Sequence, residues 1–205
     1  MTFSTAAARK ATTSRKWGPL ILFLRGFLKH PLMVGSIIPS SRTLIRHMLS
    51  RVDWEKCTLF VEYGPGVGTF TPHILARLAP DATYIAIDLN PDFIRYLETH
   101  VQDRRFRAIL GSAADVEQIV HDSGFDHADY ILSGLPFSTL PDGVGPAIAA
   151  ATARVLRPGG AFLVYQFRAK VKTFLAPHFS RIDQALEFWN IPPCFLFWGW
   201  KPTQS

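Results

Sequence analysis

Three glycines at alternate positions directly follow a short apolar segment that carries an acid. The segment is Leu59–Tyr63, its acid is Glu62, and the glycines are Gly64, Gly66 and Gly68. Glycine has no Cβ, so a turn of this kind lets a ligand approach the backbone closely. A negative charge in front of the turn would repel a pyrophosphate and tolerate an ammonium or a sulfonium. These residues therefore indicate a binding site for a cationic ligand.

A second acid, Asp88, stands 24 residues after Gly64, at the end of the apolar run Thr83–Ile87. An acid at the tip of the second strand is placed to accept hydrogen bonds from ribose hydroxyls. We include its neighbour Leu89 in the candidate site. Two alternative interpretations stay open. The glycines could form a tight turn that binds no ligand, and Asp88 could cap the helix that starts at Pro91.

Strand-like and helix-like segments alternate after residue 57, which predicts an α/β fold with a parallel sheet covered by helices on both faces. A terminal hairpin should add an antiparallel edge, and ligands of such sheets lie at the carboxyl ends of the strands. The predicted strands are Thr58–Tyr63, Thr83–Ile87, Phe106–Leu110, Tyr130–Ser133 and Ala161–Phe167, with the hairpin Phe179–Trp189 and Cys194–Trp200. The predicted helices are Arg42–Val52, Thr71–Leu78, Pro91–Thr99, Ala113–Val120, Val144–Leu156 and Lys170–Ala176.

The positive charge is concentrated in the first quarter of the chain. The net charge is +6, and residues 1–52 hold nine Lys and Arg side chains and no Asp or Glu, so the remainder is net negative. This asymmetry favours a polyanionic partner, and a solvated basic tail is the alternative. We therefore divide the chain into a basic membrane-interaction or lid segment, 1–52, and a ligand-binding domain, 53–205.

The basic segment contains an amphipathic pattern. Trp17, Leu20, Leu24 and Phe27 recur at helical spacing, and Lys29 closes a flank without acids. Such a helix is typical of the membrane interface. Two alternatives are a helix docked on the domain and part of an organelle transit peptide. Its apolar run is far too short to span a bilayer, so we expect a cytoplasmic, peripheral protein at the inner leaflet of an anionic membrane.

The cysteine and histidine pattern argues against metal chemistry. Only two cysteines are present, Cys57 and Cys194, and the seven histidines are scattered without metal-ligand spacing. Free cysteines suggest a reducing compartment. We expect no metal cofactor.

The run from Glu62 to Gly68 resembles motif I of class I S-adenosylmethionine-dependent methyltransferases. The resemblance implies a Rossmann-like fold with S-adenosylmethionine as cofactor, Glu62 near its amino-acid end and Asp88 at the ribose. It also implies that Ser112 and Ala113 line the adenine edge, although an acid is more common there. The turn Arg157–Gly160 is a further family feature.

A narrower resemblance is to bacterial phospholipid N-methyltransferases, which convert phosphatidylethanolamine to phosphatidylcholine. It is carried by the segments 34–41, 61–68 and 190–193 and by the basic N-terminal helix. It implies a lipid amine as the acceptor. Several polar residues would then meet the lipid: Ser36, Ser40 and Ser41 from the linker over the pocket, and Arg168 and Lys170 at the lipid phosphate.

Three aromatic residues are candidates for the reacting centre: Tyr63, Phe137 and Tyr165. A lipid amine resembles lysine, with a pKa of about 10.4, so a base or a desolvating pocket must remove its proton. Tyr63 or Tyr165 would accept a hydrogen bond from the amine, and Phe137 would face a methylated ammonium. For either tyrosine the alternative is an ordinary core position.

Two other functions stay open. Ribosomal RNA adenine dimethylases share the fold and carry an Asn-Leu/Ile-Pro-Phe/Tyr motif, whereas this chain has Gly134 at the Asn position of Ser133–Phe137. The missing amide disfavours nucleic acid as the substrate of an adenine N6-methyltransferase. The third possibility is an inactive lipid-binding protein that still binds the cofactor.

Overall fold

The computed structural model describes residues 42–188 and 193–203, in which seven strands form one mixed sheet. The strands are β1 (Leu59–Tyr63), β2 (Thr83–Asp88), β3 (Phe106–Leu110), β4 (Ala128–Ser133), β5 (Leu156–Gln166), β6 (Arg181–Glu187) and β7 (Cys194–Trp200). Their order across the sheet is β3-β2-β1-β4-β5-β7-β6. The first five run parallel, and β7 lies antiparallel between β5 and β6. The predicted Rossmann-like sheet with a terminal antiparallel hairpin is confirmed.

Helices cover both faces of this sheet. They are α1 (Arg42–Leu49), α2 (Thr71–Leu75), α3 (Pro91–His100), α4 (Val116–Asp122), α5 (Val144–Val155) and α6 (Val171–Leu175), with a 3₁₀ turn at Ala113–Asp115. The start of α3 follows from its sequence. Pro91 occupies the first turn, where its missing N–H costs no hydrogen bond, and the Asn90 side chain accepts from the Asp92 N–H at 2.9 Å.

The central strands are buried on both faces, as the continuous apolar runs in their sequences require. Alternation along β1 sends Leu59, Val61 and Tyr63 into one apolar cluster, which α4, α5 and α6 cover. It sends Phe60 into the other cluster, which α1, α2 and α3 cover. Successive residues of a strand point to opposite faces, so Glu62 lies on the Phe60 side and Tyr63 does not.

Strand β5 is longer than predicted at its start. It begins at Leu156, so Arg157–Gly160, predicted as a turn, lies within the strand. Gly160 allows this path, because a Cβ there would lie 2.6 Å from the Asp129 carbonyl oxygen of β4. Asp129 itself accepts hydrogen bonds from the backbone N–H groups of Thr58 and Leu59 and pairs with Arg157. This buried acid ties the amino ends of β1, β4 and β5 together.

Helix α1 is part of the packed domain. Its apolar side chains are buried against the sheet, and the Trp198 indole N–H donates to the Met48 carbonyl at 3.0 Å. The Arg51 guanidinium lies 4.4 Å from the Trp198 ring centroid. Residues 42–52, which the sequence division assigns to the N-terminal segment, therefore pack on the sheet. The division between 1–52 and 53–205 stays a prediction, since residues 1–41 lie outside the described part.

Backbone hydrogen bonds hold the carboxyl ends of the parallel strands together. Gly64 N–H donates to Ile87 O at 2.9 Å, Gly134 N–H to Tyr63 O at 3.0 Å, and Gly111 N–H to Asp88 O at 3.0 Å. The turns after β1, β3 and β4 thereby meet at one edge of the sheet. In the described ranges we find no helix of the length and apolarity that crossing a membrane requires.

Candidate functional site

The glycine turn after β1 adopts the conformation that only glycine takes without strain. Gly64, Gly66 and Gly68 have φ values of 64°, 56° and 78°. A Cβ on Gly68 would lie 2.8 Å from Leu97 Cδ2 and 2.9 Å from Thr71 Oγ1, so side chains are excluded sterically as well. The conformation of the turn therefore requires glycine, as the sequence predicts, and leaves its backbone without side-chain cover at these positions.

Asp88 ends β2 directly beside this turn. Its carboxylate is buried and accepts the Asn90 N–H at 2.8 Å. Burial raises its pKa to about 6, although the N–H groups of Asn90, Gly66 and Leu89 act in the opposite direction. The link to Gly66 joins the acid to the glycine turn, so a ligand here meets both. The cap of α3 is made by Asn90, which leaves Asp88 available for ligand binding.

Glu62 is fully buried at the end of β1, and burial raises its pKa to about 7. The Tyr84 hydroxyl donates to Glu62 Oε2, which lowers the pKa, while the charge of Asp88 raises it. Tyr84 Oη also lies 3.2 Å from Thr71 Oγ1, just after the glycine turn. A chain of side-chain contacts therefore runs from the turn to the acid.

Tyr84 is a site residue that sequence reasoning missed, because an aromatic residue in a strand ordinarily belongs to the core. The register between β1 and β2 reveals its role. Phe60 pairs with Tyr84 and Glu62 with Ala86 in the parallel register, so Tyr84 must share the sheet face of Glu62.

The raised pKa of Glu62 predicts how stability depends on pH. Its native pKa of about 7 exceeds the ordinary 4.5, so the folded chain binds the proton more tightly, and the contribution of this group to the free energy of unfolding falls as pH rises from 4.5 to 7. Each pKa unit corresponds to about 1.4 kcal/mol. Relative to the wild type, Glu62→Gln should become more stable as pH rises through this window. Denaturant titrations of both proteins between pH 5 and pH 8 measure the difference, and a constant difference would contradict the prediction.

The turn after β3 supplies the remaining predicted cofactor residues. Leu110 pairs with Asp88 in the parallel register, so Ser112 and Ala113 follow β3 next to the tip of β2. Both are buried, and Ser112 Oγ accepts from the Ala114 N–H at 3.2 Å, which starts the 3₁₀ turn. Leu89 is half-buried beside Asp88. The predicted cofactor residues are thus on adjacent strand ends.

Tyr165 reaches the same edge from β5. Its ring stacks on Phe70 with centroids 5.2 Å apart. A Cβ built on Gly134 would lie 2.5 Å from the Tyr165 hydroxyl oxygen and 3.2 Å from the Gly64 carbonyl oxygen. The absence of a side chain at residue 134 therefore makes room for the tyrosine hydroxyl. The Tyr165 hydroxyl oxygen and the Gly64 carbonyl oxygen therefore both lie next to Gly134, at the end of β4.

Tyr63 and Phe137 occupy core positions, which does not support the prediction that they face reacting atoms. Tyr63 is fully buried, and its hydroxyl lies 3.1 Å from Thr152 Oγ1 on α5, on the sheet face opposite Glu62. Phe137 is buried against Phe162 and Phe174. The alternation of β1 sends the Tyr63 ring away from the glycine turn, and the loop after β4 folds Phe137 inward.

The predicted lipid-contacting residues divide into two groups. Arg168 and Lys170 are exposed just after β5, at the edge that carries the glycine turn. The others lie outside the described residues: Trp17, Leu20, Leu24, Phe27, Lys29, Ser36, Ser40 and Ser41. Within 42–188 and 193–203, no three His, Cys, Asp or Glu side chains are grouped so that they could hold a metal ion.

Comparisons with known proteins agree with this arrangement. Residues 60–160 match the family model of a methyltransferase domain. The ornithine lipid N-methyltransferase of Singulisphaera acidiphila is 32% identical over 174 residues, which cover 84% of this chain and 91% of that protein.

Solved structures share the fold at low sequence identity. One is the 1,6-didemethyltoxoflavin-N1-methyltransferase of Burkholderia thailandensis with bound S-adenosylhomocysteine, which has a TM-score of 0.67 and 15% sequence identity to this chain. The match covers 96% of this chain and 93% of that protein. Another is the N-methyltransferase NodS of Bradyrhizobium japonicum, with a TM-score of 0.63 and 16% sequence identity. The match covers 82% of this chain and 99% of NodS.

Proposed function

The chain belongs to the class I S-adenosylmethionine-dependent methyltransferases, and on this premise we propose that it methylates the headgroup amine of phosphatidylethanolamine and its methylated derivatives, towards phosphatidylcholine. The observation that carries the proposal is the pair of oxygens, Tyr165 Oη and Gly64 O, beside Gly134 at the cofactor edge. The N-methyltransferase relative, which by its name acts on a lipid, supports an amine on a lipid as the acceptor.

The residues at the edge suit the cofactor. S-adenosylmethionine, when bound, supplies an electrophilic methyl group on a sulfonium. The glycine turn would let the ligand approach the backbone, and the Asp88 carboxylate would accept hydrogen bonds from the ribose hydroxyls. Glu62 would place a negative charge near the amino-acid end of the cofactor. Ser112, Ala113 and Leu89 line the adenine edge. Two buried acids with raised pKa values gain from a cation, because its charge favours their ionised forms.

The chain's own part in the reaction is to hold the acceptor amine in its neutral form, with its proton released to solvent. An amine with a pKa of about 10.4 is neutral in only about one molecule in 10³ at pH 7. Tyr165 Oη and Gly64 O accept hydrogen bonds from the amine and orient its lone pair, and desolvation at the buried edge lowers its pKa. We assign this role to Tyr165 rather than to Tyr63 or Phe137, because only Tyr165 lies on the Glu62 face beside Gly134.

Tyr84 should tune the pH at which the cofactor binds. Replacing it with phenylalanine removes the hydrogen bond that favours the Glu62 carboxylate, so the pKa of Glu62 should rise further. We expect cofactor affinity to fall about threefold to tenfold near neutral pH, because a smaller fraction of Glu62 is ionised there, and to recover at higher pH. Calorimetric titrations from pH 6 to pH 9 measure this. An affinity loss that is equal at every pH would mean a purely structural role.

The membrane part of the proposal rests on the basic N-terminal segment. The helix predicted at Trp17–Lys29 would lie in an anionic leaflet, with Arg168 and Lys170 at the lipid phosphate and the serines of the linker over the pocket. We place the enzyme in the cytoplasm as a peripheral protein of the inner leaflet. The proposal requires neither a metal nor a nucleic-acid partner.

Ornithine lipid is the second candidate acceptor, since the relative's name specifies it. Both headgroups carry an amine, but an ornithine headgroup has no phosphate for Arg168 and Lys170.

Intact protein is incubated with labelled S-adenosylmethionine and vesicles that contain phosphatidylethanolamine, ornithine lipid or neither. We expect label in the phosphatidylethanolamine extract, and label in ornithine lipid alone would correct the substrate.

The same assay separates the other two functions. Labelled adenine in added RNA, with unlabelled lipid, would identify an RNA N6-methyltransferase and overturn the proposal. Bound cofactor without any labelled acceptor would favour an inactive lipid-binding protein. Gly134 disfavours an RNA adenine as the substrate, because glycine has no side-chain amide that could recognise the base.

A further inference from the structure

The exposed apolar residues of the domain are concentrated at one edge of the sheet. Five large hydrophobic side chains are exposed in the part of the chain that the structure describes, and four of these lie at the carboxyl ends of strands: Val67, Leu110, Phe167 and Phe188. Phe188 is 69% exposed and Phe167 39%. Exposed apolar patches mark interaction sites on folded domains, and two of these four residues are aromatic.

The topology brings the two phenylalanines to the same edge. Strand β7 runs antiparallel to both of its neighbours, so β5 and β6 point in the same direction. Gln166 and Leu186 both pair with Phe195, and hence the residues that follow β5 and β6 are neighbours across β7. Phe167 and Phe188 therefore lie at the same edge of the sheet, on either side of the position of β7, and this edge also holds the glycine turn and Gly134.

The charged side chains that follow Phe167 along the chain have one sign. Arg168, Lys170 and Lys172 follow Phe167 and are exposed, and none of them has an ion pair within the described ranges. The sequence contains no Asp or Glu between Asp142 and Asp183. By contrast, Arg154, Arg157 and Arg181 in this interval pair with acids elsewhere.

We propose that the carboxyl edge of the sheet carries a docking rim, which contacts an anionic bilayer independently of the N-terminal segment. The rim consists of Phe167, Phe188, Arg168, Lys170 and Lys172. Aromatic rings settle at the headgroup level of a membrane, and cations beside them are attracted by anionic lipids. The inference rests on the proposed function, since it explains how a lipid amine reaches the edge without leaving the bilayer. It adds a second contact, made by the folded domain, that fixes orientation.

Vesicle flotation of intact protein tests the rim. The aromatic variant carries Phe167→Ser and Phe188→Ser, and the cation variant carries Arg168→Gln, Lys170→Gln and Lys172→Gln. The matched control is Tyr96→Ser, which removes an exposed aromatic ring from α3. Vesicles of phosphatidylethanolamine with phosphatidylglycerol are compared with vesicles of phosphatidylcholine alone. Calorimetry with S-adenosylhomocysteine checks that every variant is folded.

We expect both rim variants to bind the anionic vesicles at least about tenfold more weakly than the control, with unchanged cofactor affinity. The loss in the cation variant should diminish at high salt. Binding equal to that of Tyr96→Ser would overturn the rim. Flotation involves no methyl transfer, so a protein that floats through the rim but labels no lipid would reject the proposed function and leave the rim standing.

Discussion

Replacing Gly134 with alanine is expected to slow methyl transfer to lipid by about 100-fold, the cost of a small misplacement at a reacting centre, while the cofactor still binds. The backbone of Gly134 is outside the left-handed region, so alanine can adopt its conformation. The new methyl group would lie 2.5 Å from the Tyr165 hydroxyl, and the tyrosine must move away. Initial rates with labelled S-adenosylmethionine and lipid vesicles measure the loss.

A double-mutant cycle tests whether the effect passes through Tyr165. Tyr165→Phe alone should also reduce the rate of methyl transfer, because it removes the hydroxyl that accepts a hydrogen bond from the amine. With the hydroxyl absent, the nearest atom of residue 165 to the alanine methyl is the ring carbon at 3.2 Å. The double variant should therefore be about as active as Tyr165→Phe alone, since the two changes affect one contact. If the two losses multiply, Gly134 acts elsewhere.

Replacing Asp88 with alanine is expected to weaken cofactor binding by about 10- to 100-fold, which is the value of a hydrogen bond to a charged acceptor. The substitution removes the acceptor for the ribose and also the partner of the Asn90 and Gly66 N–H groups. Titration calorimetry with S-adenosylmethionine and S-adenosylhomocysteine gives both affinities.

The control for Asp88 is a nearby acid that serves no ligand. Asp92 is exposed on α3, and within 42–188 and 193–203 its one ion pair is with Arg95, three residues later. Surface pairs of this kind contribute little, so Asp92→Ala should bind the cofactor like the wild type. Equal affinities for Asp88→Ala and Asp92→Ala would remove Asp88 from the site.

The fold could be predicted because local patterns determined most of it. Apolar runs of strand length, glycine turns and Pro91 gave the bounds of β2, β3 and α3 to within a residue. The position of β7 could not be predicted in this way. Strand order depends on contacts between distant residues, such as the pairing of Phe162 with Gly199, which leave no local signal in either segment.

The candidate site was predictable where the backbone sets it and less so where side chains do. Glycines with positive φ and an acid at a strand tip have fixed positions in such a sheet. For Tyr63 the structure favours the core alternative, because Glu62, its neighbour in sequence, faces the other side of the sheet. Tyr84 required the structure, since only the register between β1 and β2 places it on the face of Glu62. The contact between Tyr165 and Gly134 joins two strand ends and required the structure.

The placement of β7 between β5 and β6 has a consequence during synthesis on the ribosome. Among the residues that the structure describes, β6 pairs only with β7, and β7 also covers the side of β5 that faces away from β4. Until residue 200 has been translated, the nascent chain exposes an unsatisfied apolar strand edge. Such edges recruit other chains, so we expect the nascent polypeptide to depend on chaperones until β7 has paired.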